Sequence, residues 1–317
     1  MIRIGIYGYG NLGRGVEEAA ARSGDIQTAA IFTRRDPAGL SSPFGSIILP
    51  AEQSVELAER IDVMIVCTGS AQDTPIVSPM LARKHSIVDS YDCHGRISRH
   101  ITAVDAAAKA GGTLALVAAG WDPGIFSVMR AFGEAFIPHG KGFTFWGRGV
   151  SAGHSEAARH VEGVIDAREY TVPLPFAIDR ARSGDGGLSE REMHRRECYV
   201  VAKPNADRER ISAEIRAIPD YYEPYDTEVI FITAEQMERA HSTMPHGGRV
   251  IRHGDGSTAE YSLRLDSNPH FTATVLLCYA RAVARLHELG ECGCRTVLDI
   301  PPAFLLPQDK GRISDLL

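Results

Sequence analysis

Short apolar runs alternate with amphipathic stretches over roughly the first 120 residues. The runs predict strands over 3–7, 28–33, 63–68, 86–89 and 113–117, and the stretches between them predict helices over 12–23, 55–60, 74–84 and 98–110. Alternation of strand and helix predicts a parallel sheet covered on both faces. From about residue 122 the pattern changes. Strands over 143–146, 169–172, 196–201 and 227–232 are expected in a more antiparallel setting, with helices over 209–217 and 234–240 and a hairpin of 249–252 with 259–266. A long helix follows over 272–289, with Leu276, Leu277, Ala280, Val283 and Leu286 along one side. Two domains are therefore expected. The first spans 1–121 and is rejoined by the C-terminal segment 271–317; the second spans 122–270.

The sharpest local signal is Gly8-Tyr9-Gly10-Asn11-Leu12-Gly13, between the first strand and the first helix. In that context GxGxxG reads as a dinucleotide site. The first glycine makes the turn, the second admits a pyrophosphate, and the third packs helix on strand. The helix N-terminus turns its positive dipole end to the phosphates. The expected architecture is α/β: a Rossmann-type doubly wound parallel sheet plus a second, α+β domain with a mixed sheet. An acid about 20 residues on would hold a free ribose 2′-hydroxyl. Here the second strand ends in Thr33-Arg34-Arg35. A guanidinium fork matches a 2′-phosphate, so NADP is the expected cofactor. The competing reading leaves both arginines solvated and gives the ribose to Asp36.

Ligands of such sheets bind beyond the carboxyl ends of the strands. Three small or polar turns stand there: Cys67-Thr68-Gly69-Ser70-Ala71, Ser90-Tyr91-Asp92-Cys93-His94 and Ala119-Gly120-Trp121-Asp122-Pro123-Gly124. Asp92 and Asp122, at neighbouring strand ends, suit an ammonium group, and one could take a proton as an amine becomes an imine. Taken singly, Asp122 could be a turn residue before proline and Asp92 a helix cap. In the second domain, Arg196 reads as a carboxylate clamp or a solvated edge. His246, in Met244-Pro245-His246-Gly247-Gly248, reads as a ligand contact or part of a glycine-rich turn. Anion binders in one domain and anions in the other fit a zwitterionic substrate.

Composition narrows the class. The 317 residues carry a net charge of −6, with 44% hydrophobic and 23% charged residues. That is globular, and it argues against a nucleic-acid partner. No apolar stretch reaches the roughly 18 residues of a membrane span, and no signal peptide is expected. The six cysteines are scattered without a CxxC, as expected of reduced thiols in a cytoplasmic protein. Cys292-Gly293-Cys294 is expected to be a loop with two free thiols, and no metal is expected.

Nine strings in order, GYGNLGR, IFTRR, CTGSA, SYDCH, GWDPGIFS, FWGRGVSAGHS, YTVP, MPHGG and LDSNPHFTA, run from the first strand to about residue 305. On them the chain resembles the NADP-dependent meso-diaminopimelate dehydrogenase family. The resemblance implies oxidative deamination of the D-centre of meso-2,6-diaminopimelate to L-2-amino-6-oxopimelate, which cyclises to tetrahydrodipicolinate, and ammonia. Reductive amination is the reverse reaction, in lysine and cell-wall precursor metabolism. It implies that Asp92 and Asp122 meet the reacting ammonium end, that Trp121 and Trp146 line the pocket, and that Ser151, Ala152 and Gly153 lie on a loop at the same end. Thr171, Arg196 and His246 would bind the distal carboxylate, with Asn268 assisting. Gly8 to Gly13 would meet the pyrophosphate and Thr33, Arg34 and Arg35 the 2′-phosphate. Cys67, Thr68, Gly69, Ser70 and Ala71, Ser90, Tyr91 and Asp92, and Ala119 to Asp122 would lie along the nucleotide. A homodimer built through the second domain is implied. Ala152 departs from the pattern, because the family string is SQGH where this chain has Ser151-Ala152-Gly153-His154. A related two-domain reductase would lack the combined TRR, GWDPG and MPHGG strings. A non-catalytic NADP sensor would have no need of groups for both ends of a substrate.

Overall fold

The computed structural model describes residues 1–70, 72–219, 221–307 and 314–317, without the side chains of His94 and Ala152. The chain divides into two compact units, Met1–Val128 with Pro269–Leu317, and Met129–Asn268.

Unit 1 opens with β1 (Ile2–Tyr7), α1 (Asn11–Ala21), β2 (Ile26–Thr33), β3 (Ile48–Pro50), β4 (Val63–Val66), α2 (Thr74–Ala82), β5 (Ile87–Asp89), α3 (Ile97–Gly111), β6 (Leu114–Leu116) and α4 (Ile125–Phe136), the last crossing into unit 2. β4, β5 and β6 are buried at every position, as strands covered on both faces must be. Ile4, Ile6, Ile31 and Ile65 pack with Val16 and Ala20 of α1 on one face. Tyr7, Phe32, Met64 and Val66 pack with Leu81 of α2 and Val104 of α3 on the other. The helix expected over 55–60 does not form. That stretch is turn with a single 3-10 turn at Ala58–Arg60, being too short to repay helix nucleation.

Unit 2 contains β7 (Lys141–Trp146), β8 (Gly149–Ser151), α5 (Ala152–Arg159), β9 (Val164–Pro173), α6 (Pro175–Arg182), α7 (Glu190–Met193), β10 (His194–Ala202), α8 (Arg208–Arg216), β11 (Asp226–Phe231), α9 (Ala234–His241), β12 (His246–Gly254) and β13 (Ser257–Leu265). They form a four-stranded sheet, β11-β10-β9-β8, and a three-stranded sheet, β13-β12-β7. In the first, β9 runs antiparallel to both neighbours, and β11 runs parallel to β10 through a crossover that α8 supplies, so the sheet is mixed as expected. Ile211 and Ile215 of α8 pack on Cys198 and Val200 of β10.

The chain then returns to unit 1 with α10 (Asn268–Glu288) and β14 (Gly293–Arg295). α10 presents Leu276, Ala280 and Val283 to the α1 side of the sheet. β14 pairs parallel with β6, completing the order β14-β6-β5-β4-β1-β2-β3. Its first six strands have the Rossmann order, as expected. Cys292-Gly293-Cys294 is thus partly strand rather than a loop. Gly293 has φ +91°, which masked the strand in the sequence. All six cysteines are free thiols.

Candidate active site

Unit 1 shapes a tight glycine turn between β1 and α1. Gly8 has φ +101°, and a Cβ on it would stand 2.5 Å from the Cys67 carbonyl oxygen. A Cβ on Gly13 would stand 2.1 Å from the Gly8 oxygen. Around Gly10, by contrast, a Cβ would meet nothing within 4 Å. Two glycines are therefore fixed by packing, and the middle one faces open space. α1 starts at Asn11 with Gly10 as a cap that has no side-chain acceptor, so its first N–H groups are directed at that space. The order of strands reverses between β1 and β4 here, and a cleft is lined by Gly8, Tyr9, Gly10, Thr33, Arg34, Arg35, Cys67, Thr68 and Gly69. Tyr7 also lines it and carried no sequence signal. Ala71 lies outside the described residues.

The end of β2 is cationic. Arg34 makes a two-pronged bond to Asp73, at 2.9 and 2.7 Å, with its side chain more than half exposed. Arg35 donates to the Tyr9 carbonyl oxygen, which ties it to the glycine turn. Asp36, the alternative ribose ligand, accepts instead from the Ala38 N–H at 3.0 Å. The residues present fit a phosphorylated dinucleotide: an open glycine, bare helix N–H groups and two guanidinium groups at one strand end.

The turns after β4, β5 and β6 lie side by side, because those strands are neighbours. The Ser70 hydroxyl donates to the Asp92 carboxylate and accepts from the Asp92 N–H at 3.0 Å, joining the first two turns. Asp92 is exposed, with Ser90 and buried Tyr91 before it. In the third turn, Ala119 and Gly120 are buried, and Trp121 is buried edge-on to Phe126, ring centres 5.2 Å apart. Asp122 follows, half-buried. Gly124 has φ +137°, and a Cβ there would overlap the Gly120 oxygen at 1.8 Å, so the turn depends on that glycine.

In unit 2, strand register assembles Thr171, Arg196 and His246. Arg196 pairs with Thr171 across β10 and β9, and Gly149 pairs with Thr171 across β8 and β9. The His246 ring lies against Gly149, where a Cβ would stand 2.5 Å from its Cγ. The Asn268 N–H donates to the Met244 carbonyl oxygen at 3.1 Å, two residues from His246. Arg196 is 6% exposed and Thr171 5%. Its Nη1 donates to Thr171 Oγ1, and the guanidinium lies 3.8 Å above the Tyr225 ring centre.

Three contributors here escaped the sequence reading. Glu169 is fully buried, 3.5 Å from Arg196, and burial pushes its carboxyl up to about 7 against the pull of that arginine. Tyr225 floors the guanidinium. His194 accepts from the Trp146 N–H at 3.0 Å and stacks on the Trp146 ring, which is 38% exposed. Burial and the Arg196 charge hold His194 down to about 4 and His154 down to about 3. Both imidazoles are thus neutral at pH 7 beside the buried Arg196 guanidinium. Ser151 caps α5 and meets His154 Nδ1 at 2.6 Å. Gly153 lies 3.8 Å from the Tyr221 ring, measured from the position of a Cβ, and the Ala152 side chain lies outside the described residues.

The diaminopimelic acid dehydrogenase C-terminal domain family matches residues 120–267. A meso-diaminopimelate D-dehydrogenase from Acetivibrio thermocellus is 48% identical over 316 residues, covering 97% of this chain and 95% of its own. The chain belongs to the meso-diaminopimelate D-dehydrogenase family. Among solved structures, a Corynebacterium glutamicum diaminopimelate dehydrogenase in complex with diaminopimelate superposes with TM-score 0.91 at 41% identity, over 99% of this chain and 98% of that one. An engineered D-amino acid dehydrogenase bound to NADP+ superposes with TM-score 0.86 at 40% identity, over 99% and 98%. The chain's MPHGG string forms the entry to β12, and its YTVP string ends β9 with Thr171. Among the described residues no helix is long and apolar enough to cross a membrane, and no group of three or more His, Cys, Asp or Glu could hold a metal ion.

Proposed function

We propose that this chain catalyses NADP-dependent oxidative deamination of the D-centre of meso-2,6-diaminopimelate, giving L-2-amino-6-oxopimelate and ammonia, and the reverse reductive amination. The observation that carries this reading is the buried Arg196–Thr171 pair, flanked by imidazoles held neutral. A buried guanidinium beside a hydroxyl suits a carboxylate, and we assign it the distal one. With His246 and Asn268 it takes the distal L-amino acid end. Asp92 and Asp122 take the ammonium of the reacting end, and one accepts a proton as that nitrogen loses charge. NADP+, when bound, supplies the electron acceptor. The glycine turn and Arg34-Arg35 hold its pyrophosphate and 2′-phosphate, while the turns at 67–70, 90–92 and 119–122 run along the rest. Trp121 and Trp146 are assigned to line the pocket at that end, and water reaching the oxidised carbon hydrolyses the imine to the 6-oxo product and ammonia. Ser151 and Gly153 border the same end.

Specificity follows from using both ends. A buried guanidinium left without its carboxylate is costly, so substrates lacking the distal group are rejected strongly. We expect a homodimer joined through unit 2 and residence in the cytoplasm, where NADP and ammonia are available. The test is initial-rate reduction of NADP+, with NAD+ in parallel, on meso-, LL- and DD-diaminopimelate. Turnover confined to the meso isomer with NADP+ is the expected result. Equal turnover with NAD+ would sink the 2′-phosphate assignment, and no turnover with the meso isomer would sink the reading itself.

A further inference from the structure

We propose that the buried pair Asp89–His100 is a positioning clamp, which sets the two turns carrying Asp92 and Asp122. The proposal rests on the functional reading above for the roles of those two acids.

Asp89 ends β5 and is wholly buried; His100 lies on α3, 4% exposed. One carboxylate gathers four donors from four places. Ser78 Oγ of α2 and His100 Nε2 both reach Oδ2 at 2.7 Å. The Tyr91 N–H reaches Oδ1 at 3.1 Å and the Ala118 N–H reaches it at 3.0 Å. The Asp89 carbonyl oxygen also accepts from the Ala119 N–H at 2.8 Å. Tyr91 precedes Asp92, and Ala118 and Ala119 lead into Trp121-Asp122. The same side chain therefore fixes the start of both turns. The His100 ring lies against the Tyr91 ring, centres 4.3 Å apart, which seats the first turn a second time.

Two observations speak against mere packing. Ala118 has φ +57°, a left-handed conformation that a non-glycine residue keeps only where its surroundings dictate it. The group that dictates it is the Asp89 carboxylate on its N–H. Moreover, the His100 Nδ1 atom is buried without a hydrogen-bond partner among the described residues. A buried polar atom left without a hydrogen-bond partner costs stability. Net stability therefore does not account for this pair, whereas held geometry does. Positioning error of about 1 Å can cost about 10²-fold in rate.

The test compares His100→Leu, which removes the donor, with His100→Gln, whose amide N–H can replace it. The readouts are kcat and KM for meso-diaminopimelate, the NADP+ Kd, and the isotope effect with substrate deuterated at the D-centre. His100→Leu should lower kcat by about 10²-fold, leave the NADP+ Kd within about threefold, and raise the isotope effect as chemistry becomes limiting. His100→Gln should recover most of the rate. Unchanged kcat in His100→Leu, equal loss in both variants, or a loss matching the unfolded fraction with an unchanged isotope effect would each overturn the clamp. If His100→Leu does not fold, Ser78→Ala removes one bond to the same oxygen and should show the same pattern at smaller size. Hydrogen exchange at the Tyr91 and Ala118 amides reads the clamp without turnover. It should quicken in His100→Leu and not in His100→Gln. Should the wild-type protein fail on meso-diaminopimelate, the functional reading has failed, and exchange at those amides still decides the clamp.

Discussion

Ala152 opens α5 directly after the capping Ser151, at the position where the resemblance leads one to expect glutamine. An alanine neither donates nor accepts there, and a lost bond to a charged group is worth about 1.5–3 kcal/mol. Wild type should therefore bind meso-diaminopimelate more weakly, or admit simpler D-amino acids, than an Ala152→Gln variant. The variant is expected to lower KM for the meso isomer about tenfold or more, and to lose turnover of simple D-amino acids. Unchanged KM and substrate range in a side-by-side rate panel would dispose of the idea. At this scale the sequence showed what motifs encode: the glycines of the turn after β1, Thr33-Arg34-Arg35, and the acids at strand ends. It did not show Glu169 or His194. A single acid in Arg168-Glu169-Tyr170 looks like any strand residue. Only the register that sets Thr171 opposite Arg196 makes it the arginine's buried neighbour.

Among elements, α10 is the longest helix described, and one polar side chain locks it in place. Arg281, nearly buried, donates to both Asp25 carboxylate oxygens at 2.7 and 2.8 Å and to the Leu305 carbonyl oxygen at 2.8 Å. The bond to Arg281 holds the Asp25 carboxyl down at about 2, below its ordinary 3.8. Its stabilisation is complete above that ordinary value and is lost as pH falls through about 2. Arg281→Met should thus cost about 2 kcal/mol at neutral pH, and the gap from wild type should close in denaturation curves taken between pH 4 and pH 2. A gap that stays constant over that range would mean that packing, not the pair, is responsible. The strands of the parallel sheet from β1 to β6, other than β3, were readable from the chain, as was α10 with its one-sided stripe, but the apolar helix α4 and the helices α5 and α6 were not. β3 and β14, three residues each, are too short to show a period. The reversal of β11 to parallel is a property of the α8 crossover and of no residue within the strand.

For the whole molecule, the two units should respond to pH with opposite signs. In unit 2 the Glu169 carboxyl is raised from 4.5 to about 7 by burial. The folded unit therefore holds a proton that the unfolded chain has already released, and stability falls as pH rises through about 7. The loss is at most about 3 kcal/mol. Glu169→Gln carries no such proton, so calorimetric scans from pH 5 to pH 8 should show the unit 2 transition drifting down in wild type and flat in the variant. Parallel drift in both would place the titration elsewhere. The topology also bears on biosynthesis. Unit 1 is made of Met1–Val128 and Pro269–Leu317, and β14 supplies the outer edge of its sheet. While a ribosome is still making the 140 residues of Met129–Asn268, the Leu114-Ala115-Leu116 edge stands with unpaired N–H and C=O groups. Such an edge is a template for pairing with another nascent chain. Slowed synthesis over that stretch should lengthen the exposure and raise chaperone demand until residues 293–295 emerge and close the sheet.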